Sequence, residues 1–132
     1  MVEGGDLRYK VSMGKGGENN MKGRIYITNA FSLSMVKFDC IIRIKEISVE
    51  DVKKLLEDDF VSGVGHEATS QVLSELLEKE IQTNRIKIEL EPHDKLIVFQ
   101  LLERLPEGVV LSSEQIKNIK YKFFLVTIEK NE

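Results

Sequence analysis

At 132 residues the chain has room for one domain with a substantial core. Its apolar share of 42% and charged share of 31% are those of an ordinary soluble globular protein, and a net charge of −3 supplies no global basic field for duplex nucleic acid. No apolar run reaches the roughly 20 residues that cross a bilayer, the first twenty residues hold no secretory apolar stretch, and the single cysteine, Cys40, excludes an internal disulfide and a cysteine-based zinc site. The expected compartment is the cytoplasm.

Residues 1–20, rich in glycine and asparagine, read as a flexible N-terminal extension, and residues 21–132 as the folded domain. Met13-Gly14-Lys15-Gly16-Gly17 resembles a P-loop but lacks its spacing and the Ser or Thr after the lysine. Residues 24–28 form an expected strand with Ile25 and Ile27 on one face, followed by a polar loop, Asn29 to Ser34. Residues 39–44 form a second strand, with Cys40 as a small buried residue. Ser48-Val49-Glu50-Asp51 is a capping signal that opens a helix with Val52, Leu55 and Leu56 on one face. Residues 62–65 read as a turn. A second helix over 67–77 presents Ala68, Val72, Leu73, Leu76 and Leu77.

Residues 84–91 alternate, with Ile86, Ile88 and Leu90 against Arg85, Lys87, Glu89 and Glu91, which predicts a half-buried strand. A turn at Pro92-His93-Asp94, with His93 exposed, would return it antiparallel to residues 96–102, a continuous apolar strand suited to the centre of a sheet. Ser113 opens a short helix to Ile119, and residues 121–128 make the last strand. The expected fold is a single α/β domain with a mixed sheet of about five strands flanked by helices.

Gly63-Val64-Gly65-His66-Glu67-Ala68-Thr69 joins a glycine turn, a histidine and a helix start. A helix N-terminus offers unpaired N–H donors and a positive dipole end, which suits a phosphate, and a histidine there can move a proton near neutral pH. The other local reading is a histidine that caps the helix. Four residues after His66 stands Ser70, so the H-E-x-x-H zinc motif is absent and metal-assisted chemistry is not expected. Ser32 and Ser34 are loop serines bonded to backbone, nucleophiles beside His66, or ligand contacts; no G-x-S-x-G elbow surrounds them. Asn29 in the same loop can hold a phosphate or ribose. Arg85 and Arg104 are either solvated ion-pairing arginines or a bidentate phosphate grip.

As a set, Ile25-Tyr26-Ile27-Thr28-Asn29-Ala30-Phe31-Ser32, the block from Ser62 to Thr69, Asn84-Arg85-Ile86-Lys87-Ile88-Glu89-Leu90, and the run from Gln100 through Arg104-Leu105-Pro106-Glu107-Gly108 resemble a known family. They are similar to the small viral and prophage anti-CRISPR ring nucleases that degrade cyclic tetraadenylate, first known as uncharacterised proteins of archaeal viruses. The resemblance implies a homodimer whose subunits share one cavity for a ring of four adenylates, the second messenger of type III CRISPR defence. It implies a metal-independent reaction without cofactors: a ribose 2′-OH attacks its adjacent phosphorus, and linear diadenylate with a 2′,3′-cyclic phosphate leaves. His66 matches the general acid, and Arg104 and Glu107 the other catalytic positions. Asn29, Ser32, Gly65, Arg85 and Gln100 match substrate-binding positions. The compartment would be the host cytoplasm if the chain is viral, with no membrane and no duplex nucleic acid as partners. The alternatives are a non-catalytic sink or sensor of the cyclic nucleotide, and a plain dimeric interaction protein.

Overall fold

The sheet is organised around one short strand. β1 (Ile25–Thr28) runs parallel to both of its neighbours, β3 (Val61–Ser62) and β4 (Lys95–Leu101). β5 (Tyr121–Lys130) then pairs antiparallel with β4, and β2 (Cys40–Ile47) pairs antiparallel with β5, giving the order β2-β5-β4-β1-β3. The computed structural model describes residues 23–104 and 111–130. The expected extension over residues 1–20, and Glu107, lie outside them.

Three α-helices cover one face: α1 (Val49–Leu55), α2 (Glu67–Leu77) and α3 (Ser113–Lys117). The anticipated Ser48 signal is realised as a full capping box, in which Ser48 accepts from the Asp51 amide at 3.1 Å and Asp51 from the Ser48 amide at 3.3 Å. The second helix spans its expected residues. The third is capped by Ser112 rather than begun by Ser113 as cap, because the Ser112 hydroxyl and the Gln115 amide form the box there. Val52, Leu56, Val72, Leu73, Leu77 and Ile116 meet Ile27, Ile97, Phe99 and Phe123 of the sheet in one apolar cluster. Ala68, expected on the buried face, is exposed, and the buried positions of the first turn are Thr69 and Ser70. Cys40 is only half-buried.

The opposite face is covered without a helix. Tyr26, Leu96, Val98, Val126 and Ile128 pack beneath Ile88 and Leu90, with Phe31, Met35 and Val36 alongside. Here the expectation of a strand over residues 84–91 fails. That segment joins no ladder; the one bridge nearby is Val64 with Thr83. Its alternation was real in part, since Ile88 and Leu90 are 4% and 1% exposed while Ile86 is 42% exposed. Alternation reports half-burial, and an extended segment lying across a sheet satisfies it as well as a paired strand. Both edges of β4 are already taken by β1 and β5, so no hairpin with residues 84–91 can form. The fifth strand is instead β3, whose Ser62 was expected in a turn and whose Val61 was expected in no element. β4 itself is the central strand, as its unbroken apolar run implied.

The amino end of β1 and β4 is tied by one buried carboxylate. Asp94, 5% exposed, accepts from the Arg24 and Glu91 amides, each at 2.8 Å. Burial raises its pKa above the ordinary carboxylate value, while the two amide bonds lower it. Gly23 crosses this turn at φ 74°, where an added Cβ would lie 2.0 Å from the His93 carbonyl oxygen, so only glycine fits. His93 is exposed, as expected, and itself has φ 79°.

Candidate functional site

Three parallel strands end at the same edge, and in open α/β sheets the carboxyl edge is where ligands collect. Asn29 and Ser32 follow β1, Gly63 to His66 follow β3, and Arg104 follows β4. Gln100 sits on β4 two residues beyond Val98, the partner of Thr28 at the end of β1. It is exposed and paired in register with Lys122. Chain tracing thus brings Asn29, Ser32, Gly65, His66, Gln100 and Arg104 to one end of the sheet. No hydrogen bond joins any two of them.

The segment after β3 is held straight rather than turned. The Gly63 amide donates to Ile27 at 2.8 Å, and the Thr28 hydroxyl donates to the Gly63 carbonyl at 3.2 Å. Buried Ser62 donates to the Gln82 carbonyl at 2.5 Å. Neither Gly63 nor Gly65 uses a positive φ. A Cβ at Gly63 would stand 2.7 Å from Ile88 Cδ1, so a larger residue there would displace the end of the Ile88 side chain.

His66 is the N-cap residue of α2, with φ −129° and ψ 132°, but its side chain makes no capping bond. Of the two local readings, side-chain capping is therefore not what His66 does. The imidazole is exposed and bonds to no other side chain or backbone group. The amides of Glu67, Ala68 and Thr69 find no acceptor, and the first intrahelical bond is Ser70 to the His66 carbonyl at 3.0 Å.

Arg85 arrives by a route that the sequence reading did not foresee. Asn84 clips the chain to β3: its amide donates to Val64 at 2.7 Å and its side-chain amide to the Ser62 carbonyl at 2.7 Å. The next residue, Arg85, donates from Nε to the Gly65 carbonyl at 2.9 Å. That bond leaves the outer guanidinium nitrogens unengaged, and no ion pair with a carboxylate consumes them. The expected hairpin of residues 84–91 with residues 96–102, which would have set Arg85 and Arg104 on adjoining strands, is absent. Arg104 instead reaches the same edge of the sheet through β4 and is exposed, without a hydrogen bond or ion pair.

Ser32 behaves as a loop serine. Its hydroxyl caps the 3-10 turn Leu33–Met35, accepting from the Ser34 amide at 3.2 Å, and lies 2.9 Å from the Ser34 hydroxyl. Either hydroxyl can donate in that pair. Asn29 is half-buried with its side-chain amide unengaged. Among the described residues no group of three His, Cys, Asp or Glu could hold a metal ion, and no helix is long and apolar enough to cross a membrane. Two residues received no role from the sequence: Asn84, which positions Arg85, and buried Thr69. The run from Gly63 to Thr69 contains Thr69, but its burial was not legible there.

Together these features define a small α/β domain whose carboxyl edge carries an uncapped helix end, an unengaged histidine and two exposed arginines. The chain belongs to the STIV B116-like family, whose model matches residues 25–123. It is 40% identical over 113 residues to Uncharacterized protein 26 of Sulfolobus islandicus filamentous virus, covering 81% of this chain and 96% of that relative. It is 34% identical over 86 residues to Uncharacterized protein YddF of Bacillus subtilis, covering 63% of this chain and 80% of that relative. Among solved structures it matches B116 of Sulfolobus turreted icosahedral virus with a TM-score of 0.71 and 32% identity, over 80% of this chain and 99% of that one.

Proposed function

We propose that this protein is a metal-independent ring nuclease for cyclic tetraadenylate, which it would cut to linear diadenylate and so silence type III CRISPR signalling. The observation that carries the reading is an unengaged imidazole, His66, at an uncapped helix N-terminus, with the Arg85 guanidinium anchored to the carbonyl of Gly65, the residue before it. A scissile phosphate seated on the α2 amides would be contacted by both.

In this scheme a ribose 2′-oxygen attacks the adjacent phosphorus and the 5′-oxygen leaves. His66 donates a proton to that leaving oxygen, a role typically worth about 10²–10⁴-fold. The amides of the first turn and the outer nitrogens of Arg85 carry the charge that grows on the phosphoryl oxygens. Arg104 and Gln100, on the neighbouring strand, bind a further phosphate and base or ribose, and Asn29 and Ser32 face the ribose. Glu107 is proposed to orient the ribose or an arginine. A two-fold symmetric ring is best served by a two-fold symmetric pair of sites, so the working unit is a homodimer in the cell interior. Exposed Ile41 and Ile44 on edge strand β2, 51% and 61% exposed, are surfaces that a second copy can cover.

The test is incubation with cyclic oligoadenylates of several ring sizes, with EDTA present, followed by mass analysis. Linear diadenylate bearing a cyclic phosphate is expected, with His66→Ala slower by about 10²-fold or more at unchanged melting temperature. Intact ring recovered in stoichiometric complex would replace the enzyme by a sink. Light scattering at twice the chain mass checks the dimer.

A further inference from the structure

The two exposed arginines of the carboxyl edge are introduced in the same way. Each follows a residue whose side chain is bonded to the backbone of a neighbouring segment. Asn84, before Arg85, donates to the Ser62 carbonyl at 2.7 Å. Glu103, before Arg104, accepts from the Lys120 amide at 2.8 Å.

The Glu103 bond stands where pairing between strands runs out. The β4–β5 ladder ends with Leu101 opposite Tyr121, and the Leu102 amide adds one bond to the Lys120 carbonyl at 2.9 Å. The chain then bends at Leu102 and Glu103. No backbone bond holds Glu103 or Arg104, and the Glu103 carboxylate is the last tie before the arginine. Lys120 is thus gripped at both its carbonyl and its amide.

Charge makes the choice of residue informative. A carboxylate one residue from an anion-binding arginine repels the anion, and it can neutralise the guanidinium by pairing with it. Glu103 makes no ion pair with Arg104; it is engaged by an amide instead. A charged acceptor bonds an amide more strongly than a neutral one, which suits a tie that must hold a bend in solvent.

We propose that Glu103 is a positioning residue: by binding the Lys120 amide it fixes the bend that carries Arg104 to the carboxyl edge. This deepens the reading of the site, and rests on it for the role of Arg104 as a phosphate-binding group. Simple electrostatics and positioning predict opposite signs. Removing the negative charge should tighten anion binding if Glu103 is a bystander, and losing the tie should weaken it if Glu103 positions Arg104.

Glu103→Ala removes the tie, whereas Glu103→Gln removes the charge but keeps an oxygen that can accept from Lys120. Exchange of the Lys120 amide should be about tenfold faster in Glu103→Ala and closer to parental in Glu103→Gln. Calorimetry with cyclic tetraadenylate, in a His66→Ala background, should show affinity about five- to tenfold lower in Glu103→Ala and within about threefold of the parent in Glu103→Gln. With His66 intact, Glu103→Ala should raise KM and leave kcat nearly unchanged. In an Arg104→Ala background, adding Glu103→Ala should alter affinity by less than about twofold, because the residue acts through Arg104. Ring affinity equal to or tighter than parental in Glu103→Ala, or the same loss with Arg104 already removed, overturns the proposal and assigns the bond to the fold alone. A titration with inorganic phosphate, read at the Arg104 Nε–H resonance, separates this from the substrate reading. If phosphate moves that resonance in the parent and Glu103→Gln more than in Glu103→Ala, while no variant binds the ring, the substrate reading falls and the role of Glu103 stands. A resonance indifferent to both ligands overturns both.

Discussion

Arg85 donates from Nε to the carbonyl of Gly65 at 2.9 Å, joining two segments twenty residues apart in sequence. The bond uses the single Nε–H, which projects sideways from the side chain, and leaves the end-on pair of Nη groups unengaged. Arg85→Lys retains charge but cannot both hold Gly65 and present two donors in one plane. We expect Arg85→Lys to cleave cyclic tetraadenylate about as poorly as Arg85→Ala, each roughly 10²-fold below the parent, with melting temperatures little changed because the side chain is exposed. Full activity in Arg85→Lys would show that charge alone suffices.

Glu67 is an exposed carboxylate in the first turn of α2, where it complements the helix dipole and opposes an incoming anion. Glu67→Gln should therefore act in opposite directions on fold and ligand. Stability falls slightly, while affinity for the ring rises about two- to fivefold at low salt and by less at high salt. Weaker binding in this variant would count against a phosphate at the helix end.

Gly63 stands where a Cβ would meet Ile88 Cδ1 at 2.7 Å. Gly63→Ala should cost about 1–2 kcal/mol in urea unfolding through overpacking. Ile88→Val removes that terminal carbon, so the double variant should be more stable than the sum of the two single losses. Strict additivity would mean that the two residues are not in contact.

Asp94 lies at the amino edge of β1 and β4, opposite the candidate site, so it separates stability from function. Asp94→Ala strands the Arg24 and Glu91 amides and should lower unfolding free energy by about 2–4 kcal/mol. Cleavage per folded molecule should be unaffected.

The pH dependence of Asp94 has a definite sign. Its native-state pKa is raised above the ordinary value of 3.8, chiefly by burial. The native state therefore binds its proton at a pH where the unfolded chain is already ionised. As pH falls from the raised native value toward 3.8, the parent should gain stability relative to Asp94→Asn, measured by urea unfolding at successive pH values. A parent that loses ground over that window would contradict the raised pKa.

The legible and illegible parts of this protein divide by physical range. Ser48 and Asp51 announced α1, and the spacing of Val72, Leu73 and Leu77 announced α2, because caps and apolar periodicity act within a turn or two of the chain. β4 was legible as central because burial on both faces leaves an unbroken apolar run. β3 was not: two residues, Val61 and Ser62, carry no pattern, and their strand character comes from hydrogen bonds to β1. The segment after Asn84 misled because Ile88 and Leu90 alternate against a sheet face as they would in a strand.

The same division runs through the candidate site. By itself the sequence determined that a lone histidine precedes an amphipathic helix, that no second histidine or cysteine stands near it in sequence, and that arginines follow downstream. Those are facts of residue type and near spacing. Only the tertiary structure decided that Arg85 reaches Gly65, through Asn84 bound to Ser62 and Val64 rather than through a hairpin. It alone decided that His66 leaves its helix uncapped and that Thr69 is buried without a partner. Hydrogen bonds between distant segments and burial depend on which strand lies beside which, and the order β2-β5-β4-β1-β3 is set by the packing of both sheet faces at once.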